Sequence, residues 1–451
     1  MSTLTVLFAR PERSLRARRA ARADHPLMLP TVVVLAAGLL SLAGVGNVRL
    51  AAEKFPFGIP AIFLGLSVFT AMVSATGIGD ALAVRLAKTS RGERSRTLIF
   101  GVIVLLATCA LGNNLVHVGL VLPVLLLLTG TVSSDRRYLV AFFSCVMAIV
   151  NCAGAATPVG DFPALTIMAS HITSFGAYLG LAFPLFAGVT SVGLVLVYLV
   201  ILHFQGHYDK SGTEDEVPAS AGAVLLEAMF EGANVDKKSL ARLLLVLAAM
   251  FALWVGFPAV PSWAVAWAGA AVGATVAPNV RDAVRLDRID LVPAVRISAF
   301  LGGASFVATT GLLRRAGALQ SEISQPRLLL VALMVVAAVV TALLSAGPAA
   351  AVLLPVAQEL VGPQAVLAGR GALVAVAFAA GVCAGSSAFV LSATAGPLIS
   401  RKVEAAHLRL DNGETLRFST REYMPFGLVN AIIQLGLAVP VILILFQAGV
   451  R

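Results

Sequence analysis

From Leu27 to Phe446 the chain is a succession of apolar stretches with no long polar domain between them. Each is near the ~20 residues of helix that a ~30 Å hydrocarbon layer requires. A segment surrounded by lipid finds no water for its backbone and must satisfy its own N–H and C=O groups, so these stretches read as transmembrane helices. With 59% hydrophobic and 12% charged residues, and a mean hydropathy of +0.92 over 451 residues, a soluble multidomain protein is excluded. One membrane domain is the expectation.

The net charge of +10 does not indicate nucleic acid, because the basic residues sit in short loops between apolar segments. Anionic lipid headgroups suit that placement better. Cys109, Cys145, Cys152 and Cys383 stand in apolar surroundings without CxxC spacing, which predicts neither a disulfide framework nor a zinc site. Six arginines between Arg10 and Arg22 precede an apolar run from Leu27 to Val45 that is too long for a signal peptide and has no A-x-A site after it. That run reads as the first span, with the arginines in the cytoplasm.

Lys and Arg near helix ends stay cytoplasmic, and the arrangement that follows from this rule puts 25 of the 33 basic residues inside. It requires Thr97 to Gly130 to enter and leave on one side. Arms of roughly 14 to 16 residues flank Gly112-Asn113-Asn114, so the segment reads as a re-entrant helical hairpin. Downstream, Asn151 to Ala164 (NCAGAATPVGDFPA) interrupts an otherwise apolar span, because Gly154, Pro158, Gly160 and Pro163 oppose a continuous helix. The second half repeats the order. Pro60 and Pro293 are 233 residues apart, Thr76-Gly77 and Thr310-Gly311 234, Pro123 and Pro355 232, and Pro163 and Pro397 234.

The expected fold is an all-α polytopic membrane protein of two inverted repeats, each with a re-entrant hairpin and a broken transmembrane helix. Residues 1–26 form a basic cytoplasmic tail, 27–203 the first repeat, 204–239 a cytoplasmic linker with an amphipathic stretch over 219–230, 240–260 a linking helix, and 261–451 the second repeat. Paired broken helices direct attention to a transport site near the midplane, where half-helix ends carry unpaired backbone groups.

Here GNNLVHVGLVLPV, NCAGAATPVGDFPA, LSAGPAAAVLLPV and SATAGP resemble the ion transporter superfamily from Pro56 onward. The superfamily includes arsenite permeases, NhaD-type sodium/proton antiporters and divalent anion symporters. TPVGDFPA is most similar to the NhaD-type antiporters and arsenite permeases, and the sodium/dicarboxylate symporters are more distant. The resemblance implies a two-hairpin transporter coupled to an ion gradient or membrane potential, with ligand sites at tips and breaks. Carried over by position, the first tip falls on Asn113 and Asn114 and the first break on Thr157, Pro158, Gly160 and Asp161. Ser345, Ser392 and Thr394 occupy the second tip and break, but Ala395 stands where Asp161 has its counterpart.

Asp161 is a lone carboxylate deep in the membrane and thereby the leading candidate for proton coupling and for a sodium ion. The amides of Asn113 and Asn114 either contact the ligand or cap the tip. Thr157 either contacts the ligand or satisfies the break. His117, one turn past the tip, is a second proton candidate or a histidine bonded to a carbonyl. Asp80 reads as an interfacial ion pair, Arg296 as snorkelling to the cytoplasmic surface, and the cysteines as small packing residues.

A cation-coupled secondary transporter, foremost a sodium/proton antiporter, leads. An anion permease for arsenite or a di- or tricarboxylate is its rival, because half-helix dipoles hold an anion without a buried cation. An enzyme has little support, since HExxH, GxSxG and paired intramembrane aspartates are all missing, and a channel has little because inverted broken helices suit alternating access better than an open pore. No cofactor is expected beyond transported or coupling Na+ or H+. Expected partners are the lipid bilayer and a small ion or anion, with a homodimer left open and no nucleic acid. The inner membrane is the expected location.

Overall fold

The computed structural model describes residues 28–53, 55–79, 81–82, 85, 89, 93–111, 114–208, 235–257, 259–284, 291–310 and 325–450. The linker's amphipathic stretch, Asp80 and Asn113 lie outside them, as do the side chains of His117 and Arg296. The described residues are almost wholly helical, with one isolated β-bridge between Arg409 and Thr415.

The first half runs α1 (Met28–Leu42), α2 (Val48–Glu53), α3 (Gly58–Ala75), a hairpin of α4 (Arg94–Leu111) and α5 (Asn114–Val132), and a broken span of α6 (Arg136–Ala156) and α7 (Phe162–Ala169). Then α8 (Phe175–Phe183) passes through a π-helical stretch, Pro184–Thr190, into α9 (Ser191–Tyr208). After α10 (Lys237–Gly256) the order returns. It runs α11 (Ser262–Val276), a 3-10 turn at Pro278–Val284, α12 (Val292–Thr309), a hairpin of α13 (Pro326–Leu344) and α14 (Ala346–Leu360), a broken span of α15 (Gly371–Ser386) and α16 (Gly396–Ala405), and α17 (Thr420–Gln447). Among the described residues six helical stretches are long and apolar enough to cross a bilayer: α3, α6, α8 with α9, α10, α13 and α17.

Local chemistry fixes the broken spans. Asp135 caps α6 by accepting from the backbone N–H groups of Arg137 and Tyr138 at 2.9 and 3.2 Å. Pro158 ends it. A residue before proline is pushed out of helical space, and Thr157 has φ −131° and ψ 152°. Pro163 falls in the first turn of α7, where its missing N–H costs nothing.

Helices α6 and α15 are apolar all round, and every residue of Tyr138–Ala156 and Ala372–Ser386 is buried. Protein therefore surrounds both spans just before they break. Close approach depends on glycine: a Cβ at Gly381 or Gly385 would lie 2.3 or 2.2 Å from the carbonyl oxygens of Met334 and Ala338 on α13. Leu39, Leu42, Phe204, Leu245, Ile432 and Ile444 point outward, as lipid-facing residues of a membrane protein do.

Packing between the halves is reciprocal. Helix α3 packs on α11 and α12 on α1; α7 packs on α14 and α16 on α5; α6 packs on α17 and α15 on α8. Two matched hydrogen bonds agree: Asn114 N–H donates to Gly160 O at 3.1 Å, and Ala346 N–H donates to Ser392 O at 3.0 Å. Both partners are displaced by the same 232 residues.

The ends of the molecule are tied together separately. At one end the Arg94 guanidinium lies 5.2 Å from the Tyr138 ring centroid, Arg136 pairs with Glu422, Ser134 bonds Asp411, and Asp236 N–H donates to Thr76 O at 3.0 Å. At the other, Arg370 Nη1 donates to Phe446 O at 3.0 Å, Gln358 Nε2 to Ser170 O at 3.2 Å, and Asn47 N–H to Thr309 Oγ1 at 2.9 Å. The 28 residues of α17, about 42 Å at 1.5 Å per residue, join the two ends.

Two sequence expectations are corrected. The first hairpin's arms have 18 and 19 residues rather than 14 to 16, because the helix continues through Arg94–Arg96 in the first arm and past Gly130 to Val132 in the second. The break falls at Thr157 to Asp161, where the tip and break residues were placed from sequence, but Gly154, expected to oppose a continuous helix, lies inside α6, packed against Asn114 and Asp161.

Candidate functional site

Two tips and two breaks converge in the protein interior. Asn114, 1% exposed, donates through Nδ2 to Val150 O at 3.1 Å. Thr157 Oγ1 donates to Ala110 O at 2.6 Å, tying the break to the hairpin's other arm. Gly154 and Gly160 are the surfaces that permit this. A Cβ on Gly154 would come within 2.2 Å of Asn114 Nδ2 and 2.7 Å of Asp161 Cβ, and one on Gly160 within 2.6 Å of Gly154 O.

Asp161 caps α7, its Oδ1 accepting from Phe162 N–H at 2.7 Å. Among the described residues no basic side chain forms an ion pair with the carboxylate, and the hydroxyl of Thr394 from the second break stands beside it. That hydroxyl closes no hydrogen bond of good geometry: Thr394 Oγ1 and Asn114 Oδ1 are both buried without a protein partner. Orphaned oxygens of this kind beside a half-buried carboxylate form a polar site that suits a ligand. Among the described residues no cluster of three or more His, Cys, Asp or Glu side chains is placed to hold a metal.

On the second tip Ser345 has φ 78°, a conformation that costs L-residues strain and concentrates at functional sites. Neither Ser345 nor Ala395 caps the helix after it through a side chain, so α14 and α16 start without a counter-charge. Phe162, next to Asp161, lies against Gly347, where a Cβ would meet its ring at 3.3 Å. Ser392 serves the break itself, accepting from Phe389 N–H at 3.0 Å and reaching Phe389 O at 2.7 Å.

Of the sequence-selected residues, Asn114, Thr157, Gly160, Asp161 and Thr394 come together, with Ser345 and Ser392 in the adjoining tip and break. A second polar group was missed. Asn151 Nδ2 and Gln434 Nε2 both donate to Ser387 Oγ, at 2.9 and 3.0 Å; Tyr423 Oη donates to Ser387 O at 2.5 Å; and Tyr198 Oη donates to Asn430 Oδ1 at 3.0 Å. The available signal was the pair of amides Asn430 and Gln434, four residues apart and so on one face of an otherwise apolar span.

Together, the apolar spans, hairpins and interrupted helices define a multi-pass membrane transporter, with binding chemistry at its tips and breaks. The chain belongs to the citrate transporter family, CitMHS, which it matches over residues 19–382. It is also 25% identical over 435 residues to the magnetosome protein MamN of Magnetospirillum gryphiswaldense, covering 91% of this chain and 92% of that protein. With MamN of Paramagnetospirillum magneticum it is 25% identical over 421 residues, covering 87% and 89%. The family is one of secondary transporters. Sodium/proton exchange, expected first from the sequence, gains no support from it, and the anion permease fits better.

Proposed function

We propose that the protein is a cation-coupled permease for a small polycarboxylate of the citrate type, working by alternating access across the cytoplasmic membrane with its N-terminus inside. The observation that carries this reading is a charge asymmetry between matched positions. Asp161 caps the half-helix after the first break, whereas the uncharged Ala395 precedes the half-helix after the second. The first half therefore suits the coupling cation, and the uncapped positive ends of α14 and α16 suit the carboxylates of the substrate.

The two repeats are inverted in this proposal. The reciprocal helix pairs support an internal pseudo-twofold relation, as in isologous interfaces. The mouth of one hairpin is near Arg94 and Tyr138 and that of the other near Arg327 and Phe446, at opposite ends of α17, which supports an axis lying in the membrane plane.

Proteoliposomes loaded with a pH dye test the substrate class. Saturable uptake of labelled citrate or a related polycarboxylate, increased by an inward Na+ or H+ gradient, is expected. Exchange of Na+ for H+ without any carboxylate dependence would return the reading to an antiporter, and uptake of arsenite alone would also reject it.

A further inference from the structure

Beside Asp161, on the side of the break walled by α6, α8 and α15, a small cavity is lined by Asn151, Asp161, Tyr178, Cys383 and Ser386 among others. It has room for roughly one water molecule, far too little for a polycarboxylate. The hydrogen bonds of its walls decide what it accepts. Tyr178 Oη donates to Ala155 O at 2.8 Å, and Ser386 Oγ donates to Cys383 O at 2.8 Å. The Cys383 thiol is directed at Cys152 Sγ, 3.9 Å away.

Asn151 is oriented by the same logic. Ser387 Oγ commits its proton to Cys383 O at 3.1 Å, so it only accepts from the Asn151 amide, which must present Nδ2 to it at 2.9 Å. Oδ1 is then the end of Asn151 left for the cavity. Hydroxyl protons and one amide N–H are thus turned away, while oxygen lone pairs and a carboxylate remain.

We infer that this cavity is a seat for a dehydrated monovalent cation of sodium size, with Asp161, Asn151, Tyr178 and Ser386 as its oxygen ligands. The inference rests on the reading of Asp161 as the coupling carboxylate and adds the ion's position and three ligands to it. Hard cations take oxygen ligands, and a single carboxylate balances one positive charge rather than two. Asn151, 2% exposed, and Tyr178, fully buried, stand with Ser386 on helices, and Asp161 joins them from the break.

The test is Na+-dependent thermal stabilisation of the purified full-length protein in lipid nanodiscs, with choline replacing Na+ to hold ionic strength. Wild type should show saturable stabilisation by Na+, and Ser386→Ala should raise the half-saturating Na+ about tenfold, as loss of one oxygen ligand implies. Asn151→Asp, which adds a second carboxylate, should gain stabilisation by Ca2+ that wild type lacks; this arm also decides the matter if Ser386→Ala does not fold. Wild-type Na+ dependence in Ser386→Ala, together with its loss in Thr394→Ala, would move the ion to the tip side and overturn the inference while leaving Asp161 as its charge. No Na+ stabilisation of wild type would also overturn it. Unchanged Na+ dependence in Asp161→Asn would sink the reading of Asp161 as well.

Discussion

Single side chains carry the sharpest consequences. Asp161→Asn keeps the volume and the oxygen that accepts from Phe162 N–H and removes the charge. The prediction is a folded, normally abundant protein in which an ion gradient no longer drives uptake. Gly154→Ala is predicted to cost about 1–3 kcal/mol and most transport, because its Cβ collides with the Asn114 amide and with Asp161. Chemical denaturation in detergent, followed by tryptophan fluorescence, reads the first of these, and wild-type stability would show that the tip relaxes freely. Asp161 was legible in the sequence because a carboxylate inside an apolar stretch has few bland explanations. Asn151 and Ser386 were not, since small polar residues satisfied by local hydrogen bonds occur throughout buried helices. Only the arrangement of three helices shows which of their atoms remain unused.

Elements were legible where proline or charge punctuates them and blurred where packing decides. Pro158 ends α6 as its chemistry demands, but Gly154, which reads as a helix breaker, is helical because Asn114 and Asp161 need that bare surface. Helices α13 and α15 meet on glycine in the same way, so Gly381→Ala should destabilise the protein by about 1–3 kcal/mol, since the obstructing atom is a backbone oxygen that cannot rotate away. A melting temperature within error of wild type would show that the helices separate without penalty. At the start of α10, Asp236 accepts from Ser239 N–H and Asn279 Nδ2, and these bonds hold its carboxyl at about 2, below its ordinary 3.8. A folded-state value below the unfolded one stabilises above the unfolded value and is lost as pH falls through the folded one. The cap's contribution should therefore be complete above pH 4 and disappear between pH 4 and 2. Melting curves of wild type and Asp236→Ala should converge over that interval, and a constant gap would refute the capping account.

For the whole molecule, the spacing of 232 to 234 residues between matched prolines was visible from sequence alone, and the shared displacement of the two tip hydrogen bonds is its structural counterpart. The interlocking was not legible, because nothing in either half states that α3 packs on α11 or α16 on α5. Labelling of single cysteines with an impermeant reagent tests the inverted arrangement: positions 136 and 409 should react from the cytoplasmic side and position 362 from the other. Reaction of position 136 from outside would break it. In the proposed mechanism a carboxylate in one half couples a cation to an anion held largely by the other. Net uptake of labelled citrate against exchange, measured in the same proteoliposomes for wild type and Asp161→Asn, tests it most directly. The account predicts that wild type accumulates citrate when an inward Na+ or H+ gradient is imposed, and that Asp161→Asn fails to do so while still binding the anion. Accumulation by Asp161→Asn at the wild-type rate and with the same ion dependence would contradict it.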